Sequence, residues 1–328
     1  MSKNLVFAIG DGKTIKTEIE DVDIYTLKYY PENPRIGSML LNMSKKVTEE
    51  LIYDLMWTKH GESVRELYQN IKTAGNVNEP LIVYNNKVLE GNTRLSVLRK
   101  LYKETKDLNW KTVKCRVIKD TLAPKDIDYL MCRINLADKK KDWEPFEQAC
   151  YFYKLVKENG HSMKYIKEMS GFPQQKIEDY ILTFEEMKKR KVDSIGFSTV
   201  YETLKQSEVK KETKKGNDVL KIVLKEYNTG KIDDARDPRK LKEILKSDKA
   251  KKDFLAGKKD IKTAYKYAKY IDPTIEDILL RDIEEMTKTL SSIPISKMQS
   301  IQKDQKKYVI VKKFAEQVKK FMENINKK

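Results

Sequence analysis

The run Val88-Leu89-Glu90-Gly91-Asn92-Thr93-Arg94-Leu95 has the side chains and spacing to hold an anion. An apolar strand leads into a Glu-Gly-Asn-Thr-Arg turn, and a helix begins at once with Leu95, Leu98, Leu101 and Tyr102 on one face. Gly91 lets the backbone approach a bound group closely, and Asn92 or Thr93 is of a type that caps a helix. The first-turn amides have no partner within the helix, and with the Arg94 guanidinium they make an anion-binding corner. Taken alone, the fragment reads equally well as a capped helix start with a solvated arginine. Its neighbours must decide.

Upstream, Pro80-Leu81-Ile82-Val83-Tyr84, Asn85-Asn86 and Lys87-Val88-Leu89 predict a β-hairpin, since both asparagines tolerate the left-handed conformation of a two-residue turn. Strand-like pieces are expected at Leu5 to Ile9 and Thr14 to Glu18. Pro31 and Pro34 predict an extended loop that presents Arg35 from a stiffened backbone. Helical patterns run from Ser44 to Thr58, burying Leu51, Leu55 and Met56, and from Ser63 to Thr73, with Gly75 placed as a C-cap. A strand from Val113 to Ile118 turns Val113, Cys115 and Val117 inward, and a helix runs from Pro124 to about Arg133. Residues 1–120 are expected to form a small mixed α/β domain.

The rest reads as helical. Asn135-Leu136 leads into the charged connector Asp138-Lys139-Lys140-Lys141-Asp142, and a helix opening near Trp143 buries Ala149, Phe152 and Leu155 before Gly160. Residues 162–184 fit a helix-turn-helix: Ser162 as cap, a short helix with Tyr165, Ile166 and Met169, and a turn at Ser170-Gly171-Phe172-Pro173. The second helix would turn Ile177, Tyr180 and Ile181 inward, with Pro173 in its first turn. Gln174, Gln175, Lys176 and Glu178 would be exposed, where glutamine suits adenine edges and lysine suits phosphate. Lys167 stands where such units place a small residue, so a plain helical hairpin is the alternative. Lysine-rich runs at Lys188 to Lys191 and Lys210 to Lys215 read as phosphate-tracking or as solvated faces.

A helical domain over 121–270 is then followed by a helical pair over 271–328, broken at Ile293-Pro294. Ile275, Leu279, Ile283, Met286 and Leu290 form one stripe; Val311, Phe314, Val318, Phe321 and Ile325 form another. Pairing with a second copy in a homodimer and packing onto the preceding domain fit these stripes equally. The fold class expected is α+β: a small mixed α/β domain, an all-α helix-turn-helix domain and a C-terminal helical hairpin.

The 328 residues carry a formal net charge of +17, an excess that attracts polyanions, nucleic acid first among them. No apolar run is long enough to span a membrane and the N-terminal run is too short for a signal peptide, so a cytoplasmic chain with no membrane partner is expected. Cys115, Cys132 and Cys150, with His60 and His161, assemble neither a zinc site nor a disulfide framework. The cysteines read as reduced core residues, and no catalytic residue stands out.

With hairpin, Gly-Asn-Thr-Arg turn and helix-turn-helix in this order, residues 22 to 185 resemble the ParB/sulfiredoxin-like superfamily, and specifically ParB-type DNA-binding proteins. Asn33-Pro34-Arg35 resembles the family's early proline-arginine motif, and Gly75 to Val83 its glycine-then-Pro-Leu-Ile-Val strand entry. Glu90-Gly91-Asn92-Thr93-Arg94-Leu95 stands at the Gly-Glu-Arg-Arg box. Asn135-Leu136 resembles part of the third box, and Pro145-Phe146-Glu147-Gln148-Ala149 the Pro-x-Glu-x-Ala that opens the DNA-binding helices.

The resemblance implies a domain that binds a nucleoside triphosphate, CTP in partition members, with Mg2+, and that acts as a nucleotide-dependent clamp feeding a helix-turn-helix. Many members add a C-terminal dimerisation element. Arg35, Gly75, Glu90, Gly91, Asn92, Thr93, Arg94 and Asn135 would surround the ligand; Ser162, Gln174, Gln175 and Lys176 would serve DNA. Asn92 and Thr93 replace the box's Glu and Arg, Ile134 replaces the third box's Glu, and Ala137-Asp138 replace Gln-Arg, leaving fewer bidentate contacts to phosphate. Sulfiredoxin carries its catalytic cysteine where this chain has Asn92, which rejects the reductase chemistry. The function expected is a ParB-like DNA-binding protein of a plasmid, phage or mobile element regulated by a nucleotide, with NTPase activity left open. The alternatives are a nucleotide-dependent nuclease or kinase, for which Glu90 is the sole nearby carboxylate in sequence, and a helical adaptor with a vestigial site.

Overall fold

A mixed sheet is built from β1 (Leu5–Ile9), β2 (Lys13–Asp23), β3 (Lys28–Tyr29), β4 (Leu81–Tyr84), β5 (Lys87–Glu90) and β6 (Thr112–Ile118), with apolar residues continuous in β4 and alternating in β6. The computed structural model describes residues 5–9, 13–40, 46–59, 61–137, 143–275 and 277–326. The connector Asp138 to Asp142, His60 and the expected helix start at Ser44 lie outside them. Strand order is β1-β2-β6-β4-β5-β3, antiparallel except for the parallel pairs β6-β4 and β5-β3. β2 outruns the expected piece because its second half, Thr17 to Asp23, is paired along β6. The hairpin turn forms with Asn85 and Asn86 at φ 48 and 61, the left-handed pair that a two-residue loop of this twist requires.

The helices of this part are α1 (Pro34–Leu40), α2 (Glu49–Lys59), α3 (Gly61–Ala74), α4 (Asn92–Thr105), α5 (Pro124–Cys132), α6 (Pro145–Tyr153), α7 (Met163–Ser170), α8 (Gln174–Arg190) and α9 (Phe197–Leu204). Pro31 to Asn33 form the expected turn, but α1 corrects the loop expected at Pro34 and Arg35. Pro34 is the first helical residue, where a missing N–H loses nothing, and the Asn33 side chain accepts from the Arg35 amide at 3.1 Å. In α2 the buried face is Ile52, Leu55 and Met56, with Leu51 only half-buried. α4 turns Leu95, Leu98 and Leu101 onto Leu81, Val83, Val88 and Cys115 of the sheet, all buried in one cluster. Truncating Leu98 there to Ala is expected to cost about 3 kcal/mol.

The chain forms two compact units, dividing near Gln206 rather than at the expected residues 120 and 270; Ile232–Pro238 belongs with the first. α6 packs on α1, which binds the helices after Pro124 to the sheet in one unit. The second unit contains α10 (Ser207–Lys214), α11 (Val219–Asn228), α12 (Leu241–Lys246), α13 (Asp248–Leu255) and α14 (Ile261–Ile271). Their core is built from Val219, Val223, Leu241, Ile244, Phe254 and Ile261.

The C-terminal part of this unit is not the expected helical pair. α15 (Ile278–Ser291), α16 (Ile295–Lys303) and α17 (Gln305–Asn326) are three helices, because Pro294 ends one and caps the next. None of their described residues is buried; Leu279, Ile283, Met286, Leu290, Phe314 and Phe321 all stand exposed. The reading in which these stripes are packed away is therefore not what the structure has. No described helix is long and apolar enough to cross a membrane.

Candidate functional site

At the junction of β5 and α4, Gly91 adopts φ 97, and an added Cβ would lie 2.8 Å from Leu81 Cγ and 3.3 Å from the Arg94 side chain. Only glycine fits, by conformation and by space. Gly91 itself occupies the N-cap position, with no side-chain cap, so the capping role expected of Asn92 or Thr93 is absent. Asn92 turns inward instead, donating to Val88 O at 2.8 Å and accepting from the Tyr30 amide at 3.4 Å. Thr93 Oγ1 accepts from Arg35 Nη1 at 3.2 Å.

These residues edge a cavity of about 750 Å3. Arg35, Glu90, Gly91, Asn92, Thr93, Arg94 and Asn135 are brought together on its wall, although they come from three separate stretches of sequence. Gly75 is not on the wall. It ends α3 at φ 71, its amide donating to Ile71 O at 3.0 Å, and so aims the following segment at the cavity. Sequence reasoning missed Ser63, Glu66 and Asn70, with Asn76, Asn78 and Glu79 beyond them and Trp143 from the helical region. The signal was there in part: Ser63, Glu66, Leu67, Asn70, Ile71 and Ala74 recur at helical spacing and share one face of α3.

The charges of the cavity are largely balanced from within. Arg94 pairs with Glu90 through Nη2, donates from Nη1 to Glu79 O at 2.7 Å and lies 3.7 Å from the Glu79 carboxylate. Arg35 reaches from Thr93 to Glu147 Oε1, 3.9 Å from its Nε. Two guanidiniums thus share the wall with three carboxylates, Glu66, Glu79 and Glu90. A bare polyphosphate would meet excess negative charge here, whereas a metal-bound nucleotide brings its own neutralisation. Among the described residues no group of three or more His, Cys, Asp or Glu is placed to hold a metal ion without such a ligand. Burial pushes the Cys115 and Cys150 thiols up to about 12, with nearby carboxylates adding to it, so neither is an ionised nucleophile near neutral pH.

α7 and α8 form the second candidate surface. Ser162 Oγ accepts from the Tyr165 amide at 3.3 Å, Gly171 turns the chain at φ 72, and Ile166 and Met169 are buried with Ile177, Tyr180 and Ile181. Pro173 is the N-cap of α8, one position before the first turn where sequence placed it. Lys167 is exposed and does not hold the helices apart. At the start of α8, Gln174 Nε2 donates to Glu178 at 2.7 Å and Gln175 Nε2 to Asp179 at 3.1 Å. Lys176 lies over the rings of Phe172 and Tyr180, 4.5 and 5.3 Å from their centroids.

No family model and no curated protein matches this chain. Solved structures do. The chain is similar to a C-terminally truncated chromosome-partitioning protein ParB from Caulobacter crescentus complexed with CTP-gamma-S, at 13% identity over 56% of this chain and 91% of that one, TM-score 0.24. It is similar to the same protein complexed to the centromeric parS site, at 12% identity over 76% and 99%, TM-score 0.32. It is also similar to a Pnob8-like ParB-N domain, at 14% identity over 74% and 94%, TM-score 0.36.

Proposed function

We propose that this chain is a ParB-like DNA-binding protein of a plasmid, phage or other mobile element, in which a nucleoside triphosphate with Mg2+ beside Gly91 sets the state of the α7–α8 unit. The observation that carries the reading is the reach of Arg35. It holds Thr93 on the cavity wall and faces Glu147, the buried carboxylate that also accepts the Glu144 amide at 2.8 Å and fixes the start of α6. α6 packs on α8, with Phe146 and Phe184 ring centroids 5.8 Å apart. Arg35 is therefore positioned to exchange Thr93 for a phosphate oxygen and to pass that change to the helices expected to meet DNA. The amides at the start of α4 and the Arg35 guanidinium would receive the anionic oxygens, and Mg2+ would offset the repulsion of Glu66, Glu79 and Glu90. CTP is the nucleotide favoured by the motif resemblance. Gln174, Gln175 and Lys176 would have to leave their partners on α8 and Phe172 to engage DNA. A second copy is the proposed occupant of the exposed stripes, because Asp282, Glu284 and Glu285 of α15 complement the lysines of α17.

A thermal-shift panel of CTP, ATP, GTP and UTP with Mg2+, with and without DNA, tests this reading. One nucleotide, CTP, is expected to raise Tm, with stabilisation of about 2.7 kcal/mol at a hundredfold excess over Kd. Arg35→Ala is expected to abolish the shift. No shift with any of the four would overturn the proposal.

A further inference from the structure

A second helix–turn–helix lies in the second unit, and sequence reasoning passed over it. α13 ends at Leu255, Gly257 takes φ 68 with its amide donating to Phe254 O at 2.9 Å, and Asp260 caps α14 by accepting from the Thr263 amide at 2.8 Å. Ala250, Phe254, Ile261, Ala264 and Ala268 are fully buried, so small residues let the two helices close on each other.

Its charge is one-sided. Residues 248–271 contain eight lysines and three aspartates. The aspartates are occupied at home: Asp248 pairs with Lys251 at 3.1 Å, Asp253 with Lys259, and Asp260 with the backbone of its own helix. Lys262, Lys266 and Lys269 recur four and three residues apart along one side of α14, and Lys258 stands exposed in the turn before it. On α14 the core takes Ile261, Ala264 and Ala268, and only Tyr270 and Ile271 at its last turn stand exposed among the large apolar residues, too little for an amphipathic membrane face. A row of cations along a helix whose apolar residues are mostly buried fits a phosphate backbone.

We infer that α13–turn–α14 is a second DNA contact, in which Lys258, Lys262 and Lys266 take the phosphates of duplex DNA without selecting bases. It needs neither the nucleotide cavity nor α8. The test is fluorescence anisotropy of the full chain on a 30-bp duplex of arbitrary sequence across a KCl series. Replacing Lys258, Lys262 and Lys266 together by Ala is expected to flatten the slope of log K against log salt by about 2 to 3, since each phosphate contact contributes about 0.9. Lys266→Glu alone, a single exposed change, is expected to flatten it by about 1, and the triple Lys→Arg variant is expected to keep the wild-type slope. Alanine at Lys16, Lys28 and Lys103, exposed lysines of the first unit, removes equal charge and is expected to leave the slope as it was. An unchanged slope in the Lys258/Lys262/Lys266 variant and in Lys266→Glu, or equal flattening by the first-unit triple, would overturn the inference. Equal or tighter binding of an RNA duplex of the same length would overturn the assignment to DNA.

Discussion

The two helix–turn–helix units share a backbone plan and diverge in charge. Each turns on a left-handed glycine, Gly171 at φ 72 and Gly257 at φ 68, and each has a fully buried phenylalanine, Phe152 beneath the first and Phe254 within the second. At the start of α8 the glutamine amides are tied to Glu178 and Asp179, and Lys176 rests on two rings. At the start of α14 Asp260 caps the helix and Asp253 pairs with Lys259, while Lys258, Lys262 and Lys266 are exposed to solvent. A shared glycine turn therefore serves opposite ends, although the turn is three residues long in the first unit and five in the second. Glutamine amides suit selective reading of base edges, whereas exposed lysines suit a hold on any duplex.

Deleting the aromatics gives the largest expected effect. Phe152→Ala and Phe254→Ala should each destabilise their own unit by about 3–5 kcal/mol, read as the loss of one of two transitions in denaturant unfolding monitored by circular dichroism. A single merged transition shifted equally by both would show that the units do not unfold separately.

Gly171→Val and Gly257→Val come next. Neither glycine has a heavy atom within 4 Å of an added Cβ, so the expected loss of about 1–2 kcal/mol is backbone strain alone. Equal losses in chemical denaturation would confirm that the two turns are equivalent, and no loss at either would break the comparison.

A smaller separation is expected from pH. Burial pushes Tyr30 and Tyr180 of the first unit up to about 12, with nearby charged or ionisable groups adding to it, while in the unfolded chain they ionise near 10. The unfolded state then loses protons first, so the first unit should lose stability as pH rises from about 10 towards 12. In the second unit, hydrogen bonds from Lys215 to Glu212 and from the Thr263 backbone to Asp260 hold both carboxyls below their ordinary range. Their stabilisation is present above about pH 4 to 5 and lost as pH falls. Hydrogen bonds hold Glu50 and Glu104 of the first unit low as well, so melting curves at pH 10.5 should separate the units while those at pH 3.5 should show a loss in both.

The smallest expected change is in affinity. Glu178→Gln with Asp179→Asn frees Gln174 and Gln175 from charged partners and removes two negative charges, so binding to an arbitrary duplex should tighten about fivefold, roughly 1 kcal/mol. Unchanged anisotropy curves would mean that α8 stays clear of DNA.

What could be read from sequence was local. The Asn85-Asn86 turn, the leucine stripe of α4, Gly75 closing α3 and Ser162 capping α7 each follow from residue type and spacing over a few positions. Pro34 misled because proline both ends extended segments and opens helices, and only the Asn33 side chain decides between them. Asn92 misled because its partners, Val88 O and the Tyr30 amide, win over the helix end, and Tyr30 is distant in sequence. The α3 wall of the cavity was out of reach for the same reason. The lysines of α14 looked like an ordinary solvated face until the fold showed where every neighbouring aspartate goes.

Arg94 fastens the strand end at Glu90 and the main chain at Glu79 with separate nitrogens of one planar group. A lysine there would keep the charge but could not grip both sides at once. The residue first noticed as a lure for phosphate is thus the latch of the rim, and Arg94→Lys would leave the mouth of the cavity unhinged with its net charge unaltered.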